Sequence, residues 1–142
     1  MVEIGGKLIG LDTNIFIYYF AENKEFGSLA KTIFEALSEK KTQAVTSIIT
    51  LTELLSLPAS EKEVEALKTN FLETPNLNTL DINQAISIEA ARIRRTYGFR
   101  IPDSIQLATC LHLKADIFIT NDERLKSFKE LPIILINKSA EP

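Results

Sequence analysis

Residues 7–20 have the sequence KLIGLDTNIFIYYF, in which a short apolar run ends at an aspartate and an apolar, aromatic stretch follows. The first run, residues 7–11, comes after two glycines and predicts a buried β-strand. Residues 14–20 have strand-like propensity, but we predict a buried helix or helical turn that begins after Asp12. The stretch therefore predicts a strand that leads directly into a helix, as in α/β proteins.

The rest of the chain repeats this alternation of strands and helices. Residues 26–37 carry apolar side chains at helical spacing, and Gln43–Ser47 predicts the second strand. The other predicted strands are residues 77–82, 116–120 and 132–136. Helices are predicted for residues 48–57, 103–113 and 122–128. Two further helices are predicted, one that begins with the capping box of Ser60 and Glu63 and one that has Ile86 and Tyr97 on the same face. Apolar strands separated by helices predict an α/β fold, a three-layer α/β/α sandwich with a central parallel sheet of four to five strands.

Composition narrows the class of protein. The 142 residues predict a single domain over residues 1–142, and 45% hydrophobic and 25% charged residues are ordinary for a globular chain. The sequence shows no apolar run long enough to cross a membrane and no secretory signal, so we expect a cytoplasmic protein. It has one cysteine, Cys110, so we expect no internal disulfide. The net charge of −3 neither supports nor excludes a phosphate-bearing substrate.

Four acidic residues are predicted to gather at one edge of the sheet. Asp12 follows the first strand, Glu53 lies in the first turns of the helix after the second strand, and Asp122 comes shortly after the fourth strand. Because the carboxyl ends of parallel strands meet at one edge, connectivity brings these three residues together. Asp103, in the first turn of its helix behind Pro102, is expected to join them.

Such a group of carboxylates points to a divalent cation. Crowded carboxylates repel one another, and a hard cation that prefers oxygen ligands, such as Mg²⁺, removes the repulsion. One or two such ions can activate water and stabilise the charge that develops when a phosphodiester is hydrolysed. With a single histidine, the chain lacks the ligands that zinc usually recruits. Each acid alone also suits a helix cap or a helix dipole, so only their common location favours a metal site.

Four segments of the sequence resemble the successive motifs of PIN-domain nucleases. They are LDTN at residues 11–14, TLTELL at residues 50–55, IPDSIQLATCLHLKAD at residues 101–116 and FITND at residues 118–122. The chain is most similar to the single-domain toxins of bacterial and archaeal type II (VapBC-like) toxin–antitoxin pairs. The resemblance extends from about residue 8 to residue 122.

This resemblance implies a PIN-like α/β/α fold and an endoribonuclease activity that depends on Mg²⁺ or Mn²⁺. According to this resemblance, the catalytic, metal-binding acids would be Asp12, Glu53, Asp103 and Asp122. Asn14 and Thr120 match family positions that often carry a small polar group near the metal, and Asp116 also occupies a common family position. Because Asp116 lies at the start of the fourth strand, we expect it at the opposite edge of the sheet. The resemblance further implies an RNA substrate, a homodimer and a small antitoxin as partner.

Basic and aromatic residues concentrate in one segment of the chain. Arg92, Arg95 and Arg100, with Tyr97 and Phe99 nearby, could hold RNA phosphates and stack a base. The alternative is a solvated helix face with Tyr97 in the core, which is the more common arrangement.

Two alternatives to a nuclease remain open. A strand followed by LDTN is also similar to the start of phosphatases with an aspartyl nucleophile, but these need a second acid where this chain has Asn14. A non-catalytic module that binds RNA or protein would keep the same fold, although the complete set of acids argues against it.

Overall fold

The computed structural model describes residues 3–137 and shows the predicted alternation of strands and helices. The strands are β1 (Leu8–Leu11), β2 (Gln43–Ser47), β3 (Leu77–Leu80), β4 (Ile117–Thr120) and β5 (Ile133–Leu135). The helices are α1 (Thr13–Phe20), α2 (Gly27–Ser38), α3 (Ile49–Leu55), α4 (Glu61–Leu72), α5 (Gln84–Tyr97) and α6 (Ile101–His112), and a 3₁₀ helix covers Glu123–Ser127. Within residues 3–137, we find no helix with both the length and the apolar character that a bilayer requires.

The five strands form one parallel sheet with the spatial order β3-β2-β1-β4-β5. From β1 the chain builds the sheet outward through β2 and β3, then returns to the other side of β1 with β4 and β5. The strand order therefore reverses between β1 and β4. In open α/β sheets, ligands bind outside the carboxyl ends of the strands at such a reversal.

Apolar side chains form a separate core on each face of the sheet. Because alternate residues of a strand point to opposite faces, Ile117 and Ile119 of β4 pack into the core that contains Phe16 of α1. Phe118, between them, packs into the core that contains Ile93 of α5. The sheet is thus covered by helices on both faces, and the predicted three-layer α/β/α architecture is confirmed.

Helix α1 begins where the sequence predicted it. Asp12 has an extended backbone conformation and caps the helix through a hydrogen bond of 2.8 Å that the backbone N–H of Thr13 donates to its Oδ1. The strand-like propensity of the following residues is overridden by packing, because Ile15 and Phe16 are completely buried. Phe16 lies against other core aromatic rings, so the aromatic run belongs mainly to the core.

Some element boundaries differ from the prediction. Strand β3 ends at Leu80 rather than at residue 82. Helix α6 begins at Ile101 rather than at residue 103, because Pro102 fits within the first helical turn, where a missing N–H is tolerated. The short helix predicted over residues 122–128 is a 3₁₀ helix over Glu123–Ser127, with Asp122 as its N-terminal cap.

Gly10 in the middle of β1 is required by the close approach of two neighbouring side chains. A Cβ atom at this position would collide with Sγ of Cys110 on α6 and would lie 2.9 Å from Cδ1 of Phe118. We expect Gly10→Ala to lower the free energy of unfolding by about 1–3 kcal/mol, because buried side chains would have to shift. Equilibrium unfolding in urea measures this loss.

A second substitution tests the cause of the loss. Cys110 is buried, and its Sγ is the nearest obstacle to a side chain at Gly10. Combining Gly10→Ala with Cys110→Ala should therefore cost less than the sum of the two single changes. Strict additivity of the two effects would show that this contact is not the cause.

Candidate functional site

Asp12 lies at the carboxyl end of β1 and is only 7% exposed. Its Oδ2 accepts a hydrogen bond of 2.7 Å from Oγ1 of Thr120, at the end of the neighbouring strand β4. The pKa of Asp12 is raised from 3.8 to about 6, mainly by burial. The hydrogen bonds from Thr120 and Thr13 act against this rise, and the negative charges of Asp103 and Glu53 contribute to it. The surroundings of this carboxylate therefore disfavour its negative charge.

Glu53 on α3 is held by the first residue of α1. Oγ1 of Thr13 donates a hydrogen bond of 2.6 Å to Oε1 of Glu53. The same hydroxyl oxygen lies 3.2 Å from Oγ1 of Thr50, one helical turn before Glu53. Because Thr13 directly follows Asp12, this contact ties the position of Glu53 to the strand end that carries Asp12.

Behind this contact lies a buried polar network that the sequence analysis did not predict. The side chain of Gln106 on α6 donates a hydrogen bond of 2.5 Å to Oγ1 of Thr50 and accepts one of 3.2 Å from the backbone N–H of Ser47. Oγ1 of Thr46 lies 2.8 Å from Oγ1 of Thr50. The available signal in the sequence was an amide side chain, that of Gln106, in an otherwise apolar part of a helix.

We expect Gln106→Ala to destabilise the protein by about 2 kcal/mol, because the change removes the buried hydrogen bonds of Gln106 to the backbone N–H of Ser47 and to the hydroxyl group of Thr50. Thermal or urea unfolding measures the effect. Gln84→Ala is the matched control, since Gln84 is exposed in the first turn of α5. Equal effects of the two substitutions would contradict the structural role of the network.

Asp103 lies in the first turn of α6 and is also only 7% exposed. Its Oδ2 accepts a hydrogen bond of 3.2 Å from Nε of Arg100, the residue that precedes the helix. Nη2 of Arg124 lies 3.8 Å from the same oxygen. One buried carboxylate thus has two guanidinium groups beside it.

Asp122 follows β4 and pairs with Arg124 two residues later. Nε of Arg124 donates a hydrogen bond of 3.0 Å to Oδ1, and Nη2 donates one of 2.5 Å to Oδ2. These hydrogen bonds hold the pKa of Asp122 below its usual value. The backbone N–H of Asp122 donates to Oγ1 of Thr120 at 3.1 Å, so Thr120 contacts both Asp12 and Asp122.

The four predicted acids therefore lie at the carboxyl edge of the sheet, near the reversal of strand order. Asp103 and Glu53 are close enough to Asp12 to affect its pKa. In the described part of the chain, residues 3–137, no three His, Cys, Asp or Glu side chains are grouped so that they could hold a metal ion as they stand. Asp116 lies at the opposite edge, as predicted, where its Oδ2 accepts a hydrogen bond from the backbone N–H of Leu8.

The side-chain oxygens of the four predicted acids are suitable ligands for a hard divalent cation. All four predicted acids offer carboxylate oxygens, which Mg²⁺ and Mn²⁺ prefer. A cation would also remove the penalty that burial and like charges impose on Asp12. Asn14 has a buried side-chain oxygen that accepts no hydrogen bond from the described residues, and it follows Asp12 closely in α1.

The three arginines that were considered as possible RNA contacts, Arg92, Arg95 and Arg100, lie in different surroundings. Arg92 is paired with Glu89 and Glu130, and the hydroxyl group of Tyr97 also donates to Glu130. Arg95 lines a groove of about 570 Å³ between α5 and α6. Arg100 alone among the three contacts one of the four acids. Arg124, which was not predicted as a site residue from the sequence, contacts two of the four acids, Asp122 and Asp103.

Comparison with protein families gives one match, to the PIN domain, over residues 9–131. No curated protein matches the chain significantly in sequence.

Solved structures with the same fold cover nearly the whole chain. VapBC2 from Rickettsia felis, bound to a DNA fragment from its promoter, is 20% identical, with a TM-score of 0.70 over 90% of this chain and 98% of that chain. A toxin–antitoxin complex from Klebsiella pneumoniae is 27% identical, with a TM-score of 0.64 over 89% and 95% of the two chains. DNA-bound VapBC from Salmonella typhimurium is 18% identical, with a TM-score of 0.70 over 91% and 98%. These similarities agree with the five-stranded parallel sheet described above.

Proposed function

This chain belongs to the PIN domain family, and on that premise we propose that it is a metal-dependent endoribonuclease that hydrolyses RNA phosphodiester bonds. The proposal rests above all on Asp12, a buried carboxylate at the reversal of strand order whose negative charge is disfavoured by burial and by Asp103 and Glu53. Such an arrangement is typical of a site that is completed by a cation.

The residues that would hold Mg²⁺ or Mn²⁺ are Asp12, Glu53, Asp103 and Asp122. When bound, the ion stabilises negative charge on the phosphate and lowers the pKa of a bound water molecule. Asn14 is a candidate to support these ligands through its buried side-chain oxygen.

Residues of the chain itself position the acids. Thr120 donates a hydrogen bond to Asp12 and accepts one from the backbone of Asp122, so it fixes the relative position of two strand ends. Thr13 orients the carboxylate of Glu53. The guanidinium group of Arg100 is largely exposed beside Asp103 and is available to an RNA phosphate.

Cleavage of RNA by the purified protein tests the proposal. Incubation of total RNA with the protein and Mn²⁺ should produce discrete new 5′ ends, and EDTA should prevent their formation because it removes the cation. A second experiment, in which new 5′ ends are mapped in cells that express the protein alone, identifies the RNA that is cleaved. If the protein neither cuts RNA nor binds Mn²⁺ or Mg²⁺, the function is that of a non-catalytic binding module instead.

We further propose that the chain is the toxin of a toxin–antitoxin pair and acts in the cytoplasm as a homodimer. The support is its similarity in fold to the Klebsiella pneumoniae protein, which is part of a toxin–antitoxin complex. A short reading frame should adjoin the gene, and its product should co-purify with this chain and suppress RNA cleavage. Light scattering of the purified chain should give the mass of two copies.

A further inference from the structure

Two acids of the candidate site are paired with an arginine of the same chain. Arg124, in the 3₁₀ helix that follows β4, contacts both oxygens of Asp122, at 3.0 Å through Nε and at 2.5 Å through Nη2. Its Nη2 also lies 3.8 Å from Oδ2 of Asp103. One guanidinium group therefore joins two acids that come from different elements of the fold.

This pairing has little importance for the fold itself. The side chain of Arg124 is 58% exposed, and exposed ion pairs contribute little to folding stability. The start of the 3₁₀ helix is capped separately, by a hydrogen bond of 3.0 Å from the backbone N–H of Arg124 to Oδ1 of Asp122. The guanidinium group is thus not required to hold Asp122 in place.

We propose that Arg124 is an internal counter-ion of the site, which a divalent cation must displace in order to bind Asp122. The inference rests on the proposed function, because it takes Asp122 and Asp103 as ligands of the cation. Two positive groups cannot occupy the same carboxylate oxygens without repulsion, so the guanidinium group and the cation compete. Arg124 accordingly lowers the affinity of the site for Mg²⁺ or Mn²⁺.

The contacts of Asp122 favour competition over simple coexistence. Both carboxylate oxygens accept hydrogen bonds from Arg124, in the bidentate geometry that is typical of strong guanidinium–carboxylate pairs. The low pKa of Asp122 has these hydrogen bonds as its main cause. A cation that takes either oxygen as a ligand has to break at least one of them.

Calorimetric titration of Mn²⁺ into the purified protein, without RNA, tests the inference. We expect Arg124→Ala to bind Mn²⁺ about fivefold more tightly than the unsubstituted protein, which corresponds to the loss of one partly exposed competing ion pair. Arg124→Gln, which removes the charge but keeps a hydrogen-bond donor, should show the same direction of change and provides a second variant if Arg124→Ala does not fold.

Lys126→Ala is the matched control. Lys126 lies in the same 3₁₀ helix and its loss removes the same charge, but within residues 3–137 it has no ion pair with the four acids. We expect its affinity for Mn²⁺ to change by less than about twofold. When Asp122→Asn is already present, Arg124→Ala should no longer increase the affinity appreciably, because the main contact of Arg124 is lost.

Several outcomes would overturn the inference. Equal or weaker Mn²⁺ binding by Arg124→Ala and Arg124→Gln would do so and would leave the proposed nuclease function intact. An equal gain in Lys126→Ala would assign the effect to general electrostatics rather than to the pairing. Failure of the unsubstituted protein to bind Mn²⁺ at all would overturn both the inference and the metal site on which it rests.

Discussion

Asp12→Asn is expected to reduce Mn²⁺-dependent RNA cleavage by about a hundredfold or more while leaving the fold intact. The change removes a charged ligand, and a loss of several kcal/mol of transition-state stabilisation corresponds to at least that factor. An asparagine side chain has almost the same shape, and its oxygen can still accept the hydrogen bond from the backbone N–H of Thr13 that caps α1. Initial rates on a defined RNA, with circular dichroism as a check of folding, measure the effect.

The same substitution at another aspartate provides the control. Asp116 lies at the opposite edge of the sheet and is exposed, so Asp116→Asn should retain nearly full activity. Asp103→Asn, at the candidate site, should lose activity to a similar extent as Asp12→Asn. Full activity of both Asp12→Asn and Asp103→Asn would rule out these residues as catalytic acids.

In the absence of divalent cations, the ionisation of Asp12 should lower the free energy of unfolding by about 2 kcal/mol as the pH rises from 4 to 7. The pKa of Asp12 is about 6 in the folded protein, compared with the ordinary value of 3.8. Between these values the folded chain holds a proton that the unfolded chain has lost, so raising the pH favours unfolding. A pKa difference of about two units corresponds to about 3 kcal/mol over the complete titration, and most of this change falls between pH 4 and 7.

Urea unfolding in EDTA at a series of pH values measures this dependence. Asp12→Asn has no carboxylate to ionise, so its stability should change less over this range, and above pH 7 it should exceed that of the unsubstituted protein. Asp116→Asn should keep the original dependence. An identical pH dependence in Asp12→Asn and the unsubstituted protein would mean that Asp12 is not the group responsible.

The sequence predicted the sheet and the location of the acids because both depend on connectivity. In a parallel sheet, the residue after each strand lies at the carboxyl edge, whatever the details of packing. That rule placed Asp12 and Asp122 at one edge and Asp116 at the other, and the structure agrees. Helix α1 was predictable for a related reason, since Asp12 is a good helix cap.

The partners of these acids could not be predicted in the same way, because they depend on local backbone geometry and on distant contacts. Arg124 contacts Asp122 from within the 3₁₀ helix after β4, where the sequence predicted a short helix without indicating its type. Gln106 and Thr50 are 56 residues apart, and no periodic pattern connects them. Arg92 and Glu130 likewise meet across 38 residues.

The close approach at Gly10 also affects the spacing of the acids. Gly10 lies on β1, two residues before Asp12. Its neighbour Cys110 lies on α6, about two helical turns after Asp103. The absence of a side chain at Gly10 therefore allows β1, which leads into Asp12, to lie close to α6, which carries Asp103. A larger residue there would move the two carboxylates relative to each other without contacting either one.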